Sequence, residues 1–282
     1  MKAYILAAGE ATRLRPLSYG TPKLMAQVGA RPIIEWILDP LAKSNMVEEA
    51  YIIVRAGDVH EAALENYLKH RHEYFTDYIK VSIEHGLGWE TGGDLSLTLR
   101  SQESRGILDK TKDFLVLYGD VISDIDIGKL IEAHEIARSK LRTWCTVTLF
   151  EIPSEESYKF GVAKGEKENE NLYRITNFVE KPTKEEFQKE GKVMVNAGYT
   201  VIGKEVYHNL DRYLPARKSR LEHTIFENLP EPRELAGYLY PLKVWMDIGD
   251  ISALEEANRK IYSGEGIIPP SLKIGKNSGS SV

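Results

Sequence analysis

The segment Leu6-Ala7-Ala8-Gly9-Glu10-Ala11-Thr12-Arg13-Leu14-Arg15-Pro16-Leu17, with Pro22-Lys23 shortly after it, decides the fold. The apolar run Tyr4 to Ala8 leads into it and ends in small residues, as a buried strand does. Gly9, Pro16, Gly20 and Pro22 then break regular structure, so Gly9 to Pro22 reads as a long loop. Ala7, Ala8 and Gly9 leave room for a ligand against the backbone, and free loop N–H groups can form an anion nest. Arg13 offers a planar fork to phosphate oxygens, and Lys23 a point charge. The loop lacks the spaced glycines of a dinucleotide fingerprint. It is not a P-loop either, because Lys23 has no glycine before it and no Ser or Thr after it.

The pattern continues outward as strand and helix in turn. Pro32 to Ala42 reads as a helix, Ala50 to Val54 as a strand, and Asp58 can cap a helix through Tyr67. Ile79 to Ile83 is a strand, Gly86 to Gly93 a glycine-rich turn, and a short helix runs to Leu99. Asp113 to Leu117 is a fourth strand, and Asp126 opens a helix to about Ala137. This alternation predicts an α/β fold with a doubly wound, mostly parallel mixed sheet of Rossmann-like type. Ligands bind such sheets at the carboxyl ends of the strands. Both the first loop and the turn Tyr118-Gly119-Asp120 lie at that edge.

From Thr143 the pattern changes. Thr143 to Ile152, Tyr173 to Val179 and Met194 to Ile202 read as strands, with Lys164 to Asn171 as a hairpin tip. Arg220 to Leu229 suggests a helix, Leu235 to Tyr240 a strand, and Asp250 caps a closing helix through Ile261. No linker separates the halves. The expected organisation is one domain over 1–265, with lobes 1–140 and 141–265, and a flexible tail over 266–282.

Composition mainly excludes. Among 282 residues, 42% are hydrophobic and 28% charged, ordinary for a globular protein. The net charge of −5 disfavours a nucleic-acid partner. The charge is uneven, however. Lys2, Arg13, Arg15, Lys23 and Arg31 against Glu10 give the first 31 residues +4, which suits a small anionic ligand held locally. The single Cys145 excludes an internal disulfide framework and a cysteine-rich zinc site. No apolar run reaches membrane-spanning length and no signal peptide is read, so a cytoplasmic protein without a membrane partner is expected.

The opening loop resembles the signature of the sugar-phosphate nucleotidyltransferases (NDP-sugar pyrophosphorylases), L-A-A-G-x-G-T-R-L-x-P-L followed by P-K. Ala11 stands at its second glycine, where a methyl calls for a negative φ or a loop that tolerates it. Trp245-Met246-Asp247-Ile248-Gly249-Asp250 resembles the family's W-x-D-I-G-T, and Phe178-Val179-Glu180-Lys181-Pro182 its E-K-P. Val195-Asn196-Ala197-Gly198 is similar to its sugar-binding turn, Lys159-Phe160-Gly161-Val162 to its Y-G-V, and Glu90-Thr91-Gly92-Gly93 to its glycine turn against base and ribose. The pieces keep the family's order from Lys2 to about Ile261.

The resemblance implies a GT-A-like nucleotidyltransferase that forms an NDP-sugar and pyrophosphate from an NTP and a sugar 1-phosphate. Asp120 and Asp247 would hold Mg2+, Arg13 the departing pyrophosphate and Lys23 the α-phosphate. Leu6, Ala8, Gly9, Glu10, Ala11, Thr12, Gly92, Gly93 and Gly119 would surround the nucleotide. Lys181 would bind the sugar phosphate, and Glu180, Gly161 and Asn196 the sugar. Asp94 would contact base or ribose, or face solvent. Homo-oligomers are left open. The tail Ile268 to Gly275 resembles the entry to a left-handed β-helix.

Two other readings compete. Asp124-Ile125-Asp126 is a D-x-D, the metal motif of many nucleotide-sugar glycosyltransferases, although helix capping explains it better. A non-catalytic relative would be expected to have lost parts of the phosphate and metal set, all of which is present. His70-x-His72 has metal-ligand spacing but falls at a polar helix end, and Cys145 reads as core.

Overall fold

The computed structural model describes residues 1–70, 79–183, 191–230 and 233–264. The first half of the chain comprises β1 (Lys2–Leu6), β2 (Gln27–Val28), β3 (Arg31–Pro32), α1 (Ile33–Ser44), β4 (Glu49–Arg55), α2 (Glu61–His70), β5 (Lys80–Gly86), α3 (Glu90–Ser104), β6 (Phe114–Tyr118), β7 (Val121–Ser123) and α4 (Ile127–Leu141). There follow β8 (Cys145–Pro153), β9 (Gly161–Lys167), β10 (Leu172–Glu180), β11 (Lys192–Ile202), α5 (Leu210–Tyr213), β12 (Leu235–Leu239), β13 (Trp245–Asp247) and α6 (Ile251–Ser263).

Side-chain alternation along the strands builds two cores. In β1, Ala3 and Ile5 join one core and Tyr4 the other. In β4, Ala50, Ile52 and Val54 oppose Tyr51 and Ile53, and in β6, Leu115 and Leu117 oppose Phe114 and Val116. Strands apolar on both faces must be covered on both. α1, α4 and α6 cover the first face with Ile33, Ile37, Leu130, Ile131 and Ile261, while α3 covers the second with Leu95 and Leu99.

One nine-stranded sheet runs in the order β5-β4-β1-β6-β11-β8-β12-β10-β9. β5, β4, β1 and β6 are parallel. β11 then runs antiparallel to both β6 and β8, and the remaining strands mix directions. β1 lies between β4 and β6, so the strand order reverses there. That reversal opens a crevice at the carboxyl ends of β1 and β6.

Local signals set several ends. Asp126 accepts the Lys129 N–H at 3.1 Å, and Asp250 the Ala253 N–H at 2.9 Å, each capping the helix it precedes. Three expectations change. β9 takes in Lys164–Lys167, leaving only residues 168–171 for the hairpin tip; Asn169 Oδ1 closes it by accepting the Leu172 N–H at 2.9 Å. Arg220 to Leu229 holds one π-helical turn, Glu222–Phe226. Gly92 and Gly93 belong to α3 rather than to a turn. Their first-turn N–H groups both donate to the Ser219 carbonyl, at 2.9 and 3.0 Å, and this distant partner offsets glycine's poor helix propensity. The tail 266–282 and His72 lie outside the described residues, and His70 ends α2 exposed to solvent. Among the described residues, no helix is long and apolar enough to cross a membrane.

Candidate active site

Gly119 ties the two strands of the crevice together. Its N–H donates to the Leu6 carbonyl at 2.9 Å, and a Cβ there would stand 2.7 Å from that oxygen. Only glycine lets the turn after β6 cross so near the end of β1. Asp120 follows. Its carbonyl accepts the Ile248 N–H at 2.8 Å, and β13 pairs antiparallel with β7 so that Asp247 lies opposite Val121. Two carboxylates far apart in sequence thereby reach one spot.

Basic groups from the first loop surround them. Lys23 Nζ donates to Asp120 Oδ2 at 2.7 Å. A Cβ placed on Gly249 would meet Arg13 Nη2 at 3.1 Å and Asp247 Oδ1 at 3.3 Å, so both groups border that glycine. Desolvation and the neighbouring Asp120 charge push the Asp247 carboxyl up to about 6, against the pull of Lys23 and Arg13. Leu6, Gly9, Glu10, Ala11, Thr12, Arg13, Lys23, Gly119 and Asp120 line a cavity of about 300 Å3 here. Ala11 does not take the negative φ that its methyl favours. It sits left-handed at φ 49°, pinned because its carbonyl accepts the Leu14 N–H at 3.0 Å and the Ser18 hydroxyl at 3.0 Å.

A larger cavity of about 650 Å3 opens alongside and runs from Leu6 and Ala8 to Glu180 and Lys181. On one wall Glu10 pairs with Arg55. On the other, Glu90 sits at φ 63° and pairs with Arg220 at 3.4 Å. Asp94 lines this cavity without facing solvent: it is 3% exposed, and its Oδ1 accepts the Leu87 and Trp89 N–H groups at 2.8 and 3.0 Å. Burial pushes its pKa up while these backbone bonds pull it down. Gly92 and Gly93 are not among the residues lining this cavity. A Cβ on Gly93 would stand 2.6 Å from the Arg217 carbonyl, so these glycines serve the packing of α3 against residues 217–220.

At the far end β10 delivers Glu180 and Lys181. Lys181 is left-handed at φ 48°, its N–H donates to the Phe160 carbonyl at 3.0 Å, and its Nζ lies 3.6 Å from Glu180 Oε1. Burial and the charge of Glu222 push the Glu180 carboxyl up, with Lys181 opposing. Gly161 and Asn196, expected to touch the sugar, are not among the residues lining this cavity. A Cβ on Gly161 would lie 2.4 Å from Phe178 Cζ and 2.8 Å from Glu180 Oε2, so the glycine makes room for Glu180. Asn196 is buried; its Oδ1 accepts the Gly198 N–H at 2.8 Å, and its side chain also bonds the Tyr118 hydroxyl.

Sequence reasoning missed Arg55, Tyr118, Lys218, Arg220 and Glu222, all of which line the larger cavity. The basic run Arg217-Lys218-Ser219-Arg220 was the one available signal. The D-x-D is structural, since Asp124 accepts the Lys243 and Val244 N–H groups at 3.2 Å while Asp126 caps α4. Among the described residues, no group of three or more His, Cys, Asp or Glu is placed to hold a metal.

Known proteins resemble this chain over nearly its whole length. The nucleotidyl transferase family model matches residues 2–264. Mannose-1-phosphate guanyltransferase of Pichia angusta is 30% identical over 98% of this chain and 74% of that protein. The enzyme of the same name from Schizosaccharomyces pombe is also 30% identical, over 98% and 74%. A crystal structure of UDP-glucose pyrophosphorylase complexed with UDP-glucose superposes with a TM-score of 0.71 at 18% identity, covering 93% of this chain and 98% of the other.

Proposed function

The chain belongs to the nucleotidyl transferase family, and from that premise we propose how its side chains carry the reaction. As a sugar-1-phosphate nucleotidyltransferase it joins an NTP to a sugar 1-phosphate, forming an NDP-sugar and pyrophosphate. The observation that carries the assignment of roles is the meeting of Arg13, Lys23, Asp120 and Asp247 where the strand order reverses.

The sugar phosphate oxygen attacks the α-phosphorus in line. The bond from that phosphorus to its bridging oxygen breaks, and pyrophosphate departs with the electron pair. The attacking oxygen is already ionised at neutral pH, so no general base is required. The work is positioning and charge neutralisation. Arg13 holds the departing pyrophosphate. Lys23 orients Asp120 in the free protein and turns to the α-phosphate when nucleotide enters. Lys181, at the far end of the larger cavity, holds the sugar phosphate, and Glu180 takes a sugar hydroxyl.

Asp120 and Asp247 fit a divalent cation, and Mg2+ is the ion proposed. Both offer hard oxygen donors, and the raised pKa of Asp247 reflects burial beside the Asp120 charge that Lys23 and Arg13 only partly offset. When bound, such an ion neutralises charge building up on the phosphate oxygens. A reducing, cytoplasmic setting fits the single cysteine, which is buried as a thiol. The main unit is the single domain over 1–265, supported by the one sheet that runs through both lobes.

A panel of the four common NTPs against glucose, N-acetylglucosamine and mannose 1-phosphates, scored by pyrophosphate release, tests the assignment and identifies base and sugar. Failure of every pair would refute it. Sugar transfer from a nucleotide sugar, with no pyrophosphate formed, would favour a glycosyltransferase instead.

A further inference from the structure

Glu222 belongs to none of the motifs that carry the reaction, yet it faces the same cleft. It opens the π-helical turn Glu222–Phe226, is 7% exposed, and lines the larger cavity beside Tyr118, Glu180 and Lys181. A buried carboxylate is costly unless its oxygens are bonded. One oxygen accepts the Tyr118 hydroxyl and the other the Thr91 hydroxyl at 3.3 Å. A carboxylate has about four lone-pair sites, so two bonds leave capacity to accept more. Arg220, two residues away, pairs with Glu90 instead.

The neighbours limit what that capacity can serve. Tyr118 cannot supply a second proton, since its single O–H is already given to Glu222. Glu180 stands close enough for the Glu222 charge to raise its pKa. The recess therefore presents two adjacent carboxylates, with Lys181 at one side. Adjacent acceptors suit neighbouring hydroxyls of a pyranose ring, and they repel a sugar that carries its own carboxylate.

Resting on the nucleotidyltransferase reading, we propose that Glu222 is a second sugar-recognition residue, accepting a hydrogen bond from the ring hydroxyl next to the one taken by Glu180. The substrate class is accordingly a neutral hexose 1-phosphate with both hydroxyls free.

The test compares wild type with Glu222→Gln, which keeps the shape but exchanges one charged acceptor for a donor. A lost bond to a charged group predicts a KM for sugar 1-phosphate raised about tenfold or more, with the KM for NTP within about twofold. The second measurement uses monodeoxy analogues of that sugar 1-phosphate. One analogue should slow wild type but leave the variant no slower, closing the gap in kcat/KM to within about twofold. Tyr118→Phe separates recognition from support. If Glu222 only orders Tyr118, this variant reproduces the Glu222→Gln kinetics, and the proposal is overturned. A gap that persists for every deoxy analogue, or equal rises in both KM values, also overturns it. Should Glu222→Gln fold poorly, Glu222→Asp with the same analogues separates the same outcomes. A wild type that releases no pyrophosphate from any pair defeats the reaction and this inference together. An active wild type with an unaffected variant defeats only Glu222.

Discussion

Lowering the pH through 6 should weaken binding of the proposed divalent cation, and Asp247 sets where. Its carboxyl is pushed from 3.8 to about 6 by burial and by the charge of Asp120. A cation requires the ionised form, so binding must displace a proton wherever that form is scarce. With a pKa of about 6, the ionised fraction is about 0.9 at pH 7, about 0.5 at pH 6 and about 0.1 at pH 5. Affinity for Mg2+ should therefore fall about tenfold from pH 7 to pH 5, steeply below 6 and almost flat above 7. The sign for stability is opposite. A raised carboxyl pKa means the folded form binds more protons between about 4 and 6, so this group makes the metal-free protein more stable as pH falls through that window. Titration calorimetry with Mg2+ at pH 5, 6 and 7, in buffers of different ionisation enthalpy, gives both affinity and protons released. About half a proton should be released per ion at pH 6. Asp247→Asn should bind more weakly, with the pH dependence flattened. Affinity independent of pH between 5 and 7 in the wild type would refute the reasoning, because Asp247 would then be ionised throughout.

Three further outcomes are expected. Asp120→Ala should lower kcat by at least about 100-fold, as loss of a main electrostatic group does; near wild-type Mg2+-dependent turnover would remove Asp120 from the site. Ala11→Gly should stabilise the fold, because relief of about 1–2 kcal/mol of left-handed strain outweighs about 0.4–1 kcal/mol of added unfolded-state entropy. Calorimetry should show Tm rising by roughly 1–3 °C, and a fall would contradict the φ of 49° at that residue. Gly93→Ala should do the reverse. Its Cβ would lie 2.6 Å from the Arg217 carbonyl and 2.7 Å from Trp89 Cβ. Overpacking of about 1–3 kcal/mol then exceeds a propensity gain of about 1 kcal/mol, and a higher Tm would show that residues 217–220 yield freely.

What the sequence determined was local. Tyr4 to Ala8 with its loop, the strand–helix alternation and the caps Asp126 and Asp250 could all be read because each depends on side-chain period or on a donor a few residues away. The order of the motifs carried the reaction class, since residues that act together keep their sequence order whatever their distance. The tertiary structure decided how distant segments satisfy one another. Gly92 and Gly93 read as a turn, but they lie in the first turn of α3, where the Ser219 carbonyl accepts their N–H groups. Asn196 and Gly161 gained partners that the sequence did not show, Gly198 with Tyr118 in one case and Glu180 in the other. Ala11 sits left-handed with its carbonyl accepting bonds from Leu14 and Ser18, which the sequence alone did not show. Glu222 carried no local signal at all. Its role depends on Tyr118 and Thr91, brought to it by other elements, because a buried carboxylate gains its function from whatever the fold packs against it.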